Sequence, residues 1–514
     1  MNYKITLVLL LSFFLSKAQN EFIDTSFGEN GGYTLTVTGV YDLWLTSLVD
    51  FNGSFYASHY NFNDDGFAFK YDENGLLDTT FGDMGILDLN ERGNLAWNPF
   101  GHAKTGIFVT SDDQLLITSG SYTAIDTPDF RVMINKFDTN GQFDTSYGSN
   151  GQYLSTLPMG MDKIGSFQLE DDKILMVGYN SITNANNPDH NIYIIQVDAA
   201  GQLDTNFGVN GTIVLPFDIN NFTFSEAFYK DGSLYMQLDD YSNDGYITKY
   251  DLDTMSYDTS FGTNGQLLVD NFGENEVLES FFIDDDGSIY IAGSVYLGTN
   301  LMFDLFLYKY VNGSLDNTFG TNGIVNFQLI PNTNSVTDAH FLNRHGDKLL
   351  ITGTSYNWDA ESYEKAFFAQ FNLDGSLDTD FGNNGIIINY LFDNLNVPFA
   401  YLYYADSIIT AGSCPDGNDP QIPCLVKYLK QSNLSVEEAT LETVKVFPNP
   451  VKDELHFQTN TTIERLEIFD VLGRTIKRLE VSQNKVDLSD LETGHYFLKV
   501  YSANQTFNLK IIKG

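Results

Sequence analysis

Only two cysteines, three tryptophans and twelve prolines occur in 514 residues, and 27 Lys and Arg face 68 Asp and Glu. Two cysteines exclude a disulfide-built scaffold and leave room for one bridge. The shortage of positive charge excludes nucleic acid and anionic membrane as natural partners. Long apolar runs are missing as well. The one sustained run covers residues 5–15, well short of the ~18 residues that a membrane-spanning helix needs. It follows Lys4 and precedes Ser16-Lys17-Ala18, the order of a secretory signal peptide cut between Ala18 and Gln19. The mature chain is therefore expected to be exported and to have no transmembrane span. Helix-period patterns of useful length are absent too. The seven histidines show no metal-ligand spacing. No HExxH, GxSxG or Walker sequence occurs.

What is abundant is aromatic residues (41 Phe, 30 Tyr), Gly and Asp, the composition of short strands joined by polar turns. One element recurs seven times: DTSFGENG, DTTFGDMG, DTSYGSNG, DTNFGVNG, DTSFGTNG, DNTFGTNG and DTDFGNNG, starting at Asp24, Asp78, Asp144, Asp204, Asp258, Asp316 and Asp378. The spacings are 54, 66, 60, 54, 58 and 62 residues. Self-similarity at that period marks one supersecondary unit repeated along the chain. The Asp can close an Asx-turn, the glycines supply positive φ, and the aromatic can plug the space between units. These seven aspartates are read as structural, because a chemical site needs an asymmetric set of groups.

Around residues 277–329 the unit reads as four strands: VLESFFID, SIYIAGS, DLFLYKY and IVNFQL. Four short antiparallel strands need neighbours to bury both faces. Radial packing of such units gives a β-propeller, which also protects strand edges. The first motif precedes a fourth-type strand at 32–37, and the last unit stops after its third strand near Lys430. The N-terminal strand is thus expected to complete the last unit. The fold class is all-β: a seven-bladed β-propeller over 19–432, a linker at 433–443, and a small Ig-like β-sandwich over 444–514. Charge marks the same boundary. Residues 444–514 hold 10 basic and 9 acidic residues and 1–18 hold two Lys, which leaves 15 basic and 59 acidic residues in 19–443.

The repeat resembles the delta-60 repeat family, on Leu77-Asp78, Leu203-Asp204, Leu315-Asp316 and Leu377-Asp378 and on the Asp-Gly-Ser runs at Asp286 and Asp231. Departures are Ile23, Phe143 and Tyr257 before the motif Asp, and Gln196 and Gln370 at the basic place of the third strand. That resemblance implies a propeller-like scaffold and no defined activity. The C-terminal segment is similar to the sorting domain of the bacterial type IX secretion system. The similarity rests on Phe447-Pro448-Asn449-Pro450, Asp470-Val471-Leu472-Gly473-Arg474, Leu491-Xaa-Xaa-Gly494-Xaa-Tyr496 and the closing strand from Lys510 to Lys513. It implies handling by that machinery in a Bacteroidota-type bacterium. The chain would pass through the periplasm to the outer-membrane surface or the medium.

Units differ most in the segments between their second and third strands. Six place a Tyr early: Tyr60, Tyr122, Tyr179, Tyr241, Tyr296 and Tyr356. Trp358 follows the last of these, and Trp97 lies between units. An aromatic and acidic rim suits stacking on sugars and hydrogen bonding to hydroxyls. The seventh unit has Cys414 and Cys424 there, expected to form the disulfide. Asn61-Xaa-Asn63-Xaa-Asp65-Gly66 with Asp72 in twelfth place resembles a calcium loop. The EF-hand pattern, however, wants a carboxylate first and a Glu last, so no resident cofactor is expected. The leading expectation is an exported binding protein for a polysaccharide or surface protein, not an enzyme. The alternatives are a polysaccharide hydrolase or lyase and a structural surface protein. An enzyme would show a non-repeated carboxylate pair with perturbed pKa values.

Overall fold

The computed structural model describes residues 22–28, 33–34, 44–60, 66–89, 106–122, 130–156, 165–179, 191–216, 222–240, 245–271, 276–296, 303–329, 335–357, 362–389, 400–416, 419–431, 445–459, 463–470, 474–480, 484–502 and 506–514. The leader, the linker, and Tyr241, Trp97 and Trp358 lie outside them. The chain divides into two compact units, Met1–Asn433 and Leu434–Gly514.

The described residues of the first unit form seven antiparallel sheets of four principal strands each. Their first strands, in chain order, are Trp44–Phe51, Ile107–Val109, Gly165–Gln168, Phe222–Lys230, Glu276–Ile283, Ser335–His345 and Ala400–Tyr403. The fourth strand of the seventh sheet comes from the other end of the chain: Tyr33 and Thr34 pair with Leu425 and Cys424.

Sheets adjacent in the chain touch at their first strands, reached from the fourth sheet by Gln237 of its second strand. Ile107 N donates to Ser47 Oγ (3.1 Å), Gln168 Nε2 to Val109 O (2.8 Å), Gln237 Nε2 to Leu278 O (2.9 Å), Leu342 N to Ser280 Oγ (3.2 Å) and Asn343 Nδ2 to the Tyr401 hydroxyl (2.9 Å). Phe167 packs on Tyr229 between the third and fourth sheets. Tyr404 donates to Asp50 (2.6 Å), so the seventh sheet meets the first and the cycle of contacts closes.

The seven motifs build the turns that clasp one sheet to the next. Asp78 Oδ1 accepts from Thr80 N (3.0 Å) and Thr80 Oγ1 (2.6 Å), and Phe81 N donates back to Asp78 O (3.1 Å). Gly82, at φ 55°, presents its N–H to Asn140 O in the next sheet's turn (2.9 Å). A side chain at Gly82 would collide with Ile86 O. Phe81 is fully buried and lies edge-on between Tyr56 of the first sheet and Phe137 of the second.

Each motif Asp is also held by a cation. In five units it is the third-strand lysine: Lys70–Asp78, Lys136–Asp144, Lys249–Asp258, Lys309–Asp316 and Lys427–Asp24, at 2.9 to 3.5 Å. Where that lysine is Gln196 or Gln370, the glutamine amide donates to Asp204 or Asp378. The charge then comes from Lys173 or Lys348, at the start of the second strand. Asp78, Asp204 and Asp316 titrate near 2, led by hydrogen bonds from Lys70, Lys173 and Thr318 respectively.

Two expected outcomes arise here. A carboxylate whose folded pKa lies below its unfolded value adds stability above the unfolded pKa and loses it as pH falls through the folded one. Denaturation midpoints should therefore drop between pH ~4 and pH ~2; a flat profile would contradict the ion-pair account. Second, Lys70→Gln should destabilise by about 1 kcal/mol, and adding Ser54→Lys, at the place Lys173 and Lys348 take in their sheets, should restore part of it. Equal loss in single and double variants would count against the exchange.

The second unit has a three-stranded sheet built on Lys445–Phe447, Glu454–Gln458 and Lys485–Asp487. A four-stranded sheet is built on Ile463–Phe469, Thr475–Glu480, Gly494–Ser502 and Thr506–Lys513. Both contribute to one core, with Leu455, Phe457 and Val486 from the first and Leu466, Ile468, Leu498 and Val500 from the second.

Candidate functional site

First strands line the contact cycle, so a change in their regularity changes what the middle of the ring presents. Four of them carry a β-bulge near the same end: at Thr46, Ser225, Glu279 and His340. A bulge adds one residue against the partner strand and re-aims a side chain. The backbone device repeats, but the residues it presents do not. Two glycines make room for it. A Cβ on Gly293 would collide with Val277 O, and one on Gly353 with Asp338 O. Gly293→Ala is thus expected to displace the bulge at Glu279 and destabilise the fold by about 1–3 kcal/mol. Unchanged stability in a denaturant titration would count against it.

Glu279 reaches from the fifth sheet to the sixth. Its Oε1 accepts from Ser294 Oγ (2.8 Å) and its Oε2 from the Ala339 backbone N–H. Burial, and then the charge of Asp338, push its pKa well above the ordinary carboxylate range. Asp338 stands beside Ala339 and is exposed as a residue, with partial desolvation of its carboxyl raising its own pKa. His340 Nε2 lies 3.3 Å from Thr354 Oγ1. Asp304, opposite Val295 in the same sheet, has its Oδ1 buried with no hydrogen-bond partner among the described residues, and burial raises its pKa. On the fourth sheet, Ser225 Oγ bonds Asp239, which also receives Gln237 Nε2 (3.0 Å). Chemically, Glu279 is a carboxyl group with a raised pKa beside a second carboxyl group, the pairing that supports acid–base work.

Tyr60, Tyr122, Tyr179, Tyr296 and Tyr356 sit at or next to the last residue of their second strands, at the ring end where the bulges lie. Cys424 is disulfide-bonded and no free cysteine is found among the described residues; Cys414 is the chain's one other cysteine. Asn61, Asn63 and Asp65 lie outside the described residues. Asp72 serves a turn, accepting from Asn74 N and Leu76 N (both 2.9 Å). No metal-holding group of His, Cys, Asp and Glu is found among the described residues. Glu279, Asp338 and His340 were not singled out from the sequence. Their signal was an acid inside VLESFFID, and an acid and a histidine inside SVTDAHFLN, each interrupting strand alternation.

The described body is an all-β, propeller-like assembly of antiparallel four-stranded sheets. Residues 445–514 match the family model of the secretion system C-terminal sorting domain. The protein is accordingly handled by the type IX secretion machinery and delivered to the cell surface or extracellular space; no described helix is long and apolar enough to cross a membrane. A search of curated proteins finds no significant match. Among solved structures, the chain is similar to a polysaccharide lyase, an ulvan lyase (13% identity, 77% of this chain and 96% of that one, TM-score 0.45). It is also similar to the α-L-arabinanase of Penicillium chrysogenum (11%, 63% and 93%, 0.37) and an α-L-arabinofuranosidase from Fusarium graminearum (10%, 62% and 91%, 0.35). These structures are lyases and glycoside hydrolases, and they correct the expectation of a non-enzymatic protein. The physical reason is that a ring of sheets gathers reactive groups from distant strands, so the absence of a short catalytic motif does not exclude an enzyme.

Proposed function

We propose that this is an exported polysaccharide-acting enzyme on a seven-bladed β-propeller of delta-60 repeats, delivered by a C-terminal β-sandwich. Glu279 is its proton donor and Asp338 its partner carboxylate. The observation that carries the proposal is the Glu279–Asp338 pair, which occurs once and stands on bulged first strands of adjacent sheets. Its perturbed pKa values are the mark that distinguishes a reacting pair from scattered acids. Tyrosines ending five second strands at the same end supply the stacking residues that a sugar chain uses. In this chemistry Glu279 protonates the glycosidic oxygen as the bond to the anomeric carbon breaks, and Asp338 stabilises the developing positive charge or activates water. The test is product release from a polysaccharide panel by the mature protein, beside Glu279→Gln. Release by the wild type alone supports the proposal. Equal release by both moves the chemistry elsewhere, and saturable retention without products returns the protein to a binding role.

A further inference from the structure

The sixth and seventh sheets meet at the turn end of the ring through a stack of three side chains. Tyr403, the last residue of the seventh sheet's first strand, lies parallel to the His345 imidazole, with centroids 3.9 Å apart and planes 11° apart. Lys430 Nζ lies 3.1 Å from the centroid of the same tyrosine ring. Rings 3.9 Å apart leave no room between them, so the ammonium takes the opposite face. Lys430 is buried and also donates to the carbonyls of Tyr404 and Ala405. Its own carbonyl accepts from Gly382 N (2.7 Å), the role that Asn74, Asn140, Ala200 and Asp374 fill for other motif glycines. A lysine takes that place only in the last unit.

Hydrogen bonds set the charge state of the histidine. Asn343 Nδ2 donates to the Tyr401 oxygen (2.9 Å), so the one phenolic proton is left for His345 Nε2, 3.0 Å away. That nitrogen therefore accepts, and the ring is neutral. Burial, and then the charge of Lys430, bring the His345 pKa down to about 4. Tyr403 donates in turn to Gln370 Oε1 (2.8 Å), and Gln370 Nε2 to the motif carboxylate of Asp378 (2.8 Å). The other charges around the stack are Asp406, which opposes the burial that lowers Lys430 to about 8, and Lys348 with Asp378 and Asp347. Lys430 is thus a cation throughout the acid range.

Protonating His345 would set cations on both faces of one ring. It would also aim two donors at the Tyr401 oxygen and leave the phenolic proton without its acceptor. We propose that the Lys430–Tyr403–His345 stack is an acid-sensitive latch, which holds the seventh sheet to the sixth while His345 is neutral and releases that boundary when His345 is protonated. Asp338 lies seven residues back along the same strand, about 20 Å away, so the latch acts on the ring and not on the candidate carboxyl pair. A histidine whose folded pKa lies below its unfolded value of ~6.5 leaves stability intact above that value. Stability then falls as pH drops toward the folded pKa. Opening of the boundary should be favoured by up to about tenfold for each pH unit between ~6.5 and ~4, before the motif aspartates titrate.

The test is hydrogen exchange of the mature full-length protein between about pH 7 and pH 4, corrected for intrinsic rates. In the wild type, protection of residues 335–345 and 400–404 should fall by up to about tenfold per pH unit below ~6.5, relative to residues 276–283. His345→Gln offers an amide oxygen to Tyr401 and cannot take up the proton, so its protection should stay level. His59, fully buried in the first sheet, is present in both proteins and cancels in the comparison. Equal falls in wild type and variant would overturn the proposal. If His345→Gln is already open at pH 7, Lys430→Met decides. It keeps His345 and its bond to Tyr401 but removes the second cation, so the fall should level off at higher pH than in the wild type. A fall that continues to pH ~4 as in the wild type would overturn the latch.

Discussion

Glu279→Gln is expected to lower product release by about 10²–10⁴-fold while leaving the ring folded. The substitution keeps shape and both contacts. The amide carbonyl still accepts from Ala339 N–H, and the Ser294 hydroxyl can turn to accept from the amide nitrogen. What is lost is the transferable proton. The pH profile separates this from a structural effect. Glu279 must be protonated to act, so activity should fall as pH rises through its raised pKa. Asp338→Asn removes one cause of that elevation, so the remaining activity should lose its alkaline limb at lower pH than the wild type. A Gln variant with wild-type rates, or an Asn variant whose limb moves upward, would contradict the assignment.

Loss of the disulfide is expected to have the largest effect on stability. Cys424 stands opposite Thr34, in the strand that receives the N-terminal segment. The disulfide-bonded cysteine is therefore also where the two chain ends join. The N-terminal strand contributes two paired residues, the Ile23 bridge to Tyr428, and the Asp24–Lys427 ion pair. So short a seam depends on the rigidity of the hairpin it docks on. Closing a loop of about ten residues stabilises by up to about 3 kcal/mol. Cys424→Ser, or reduction of the wild type, should lower the denaturation midpoint by that order. Hydrogen exchange should then show residues 22–34 opening first. Equal midpoints with and without reductant would show that the seam holds without the bridge.

The sequence announced the scaffold more clearly than the site, for a physical reason. Turn chemistry is local: Asp78, Thr80, Gly82 and Gly85 are neighbours in the chain and in space, so their repetition can be read directly. The third-strand lysine was equally visible, and the departures at Gln196 and Gln370 looked like blemishes. Their compensation by Lys173 and Lys348 depends on cross-strand register, which no spacing within one strand displays. The candidate site is legible in the same partial way. Five of the tyrosines offered by the sequence stand at the end of the second strands where the bulges also lie. Glu279 and Asp338 are 59 residues apart in sequence and become partners because a bulge in each first strand and Gly293 and Gly353 behind them turn both toward one boundary. The bulge shows in the sequence only as a break in alternation, and a break has many causes.

The most direct test of the account is the pH–rate profile of product release from a polysaccharide panel by the mature protein, taken between about pH 4 and pH 8. The account predicts turnover with an alkaline limb set by a carboxyl group titrating well above the usual range, and no such limb in Glu279→Gln. Absence of product from every polysaccharide across that range, with the protein folded and its disulfide intact, would contradict it.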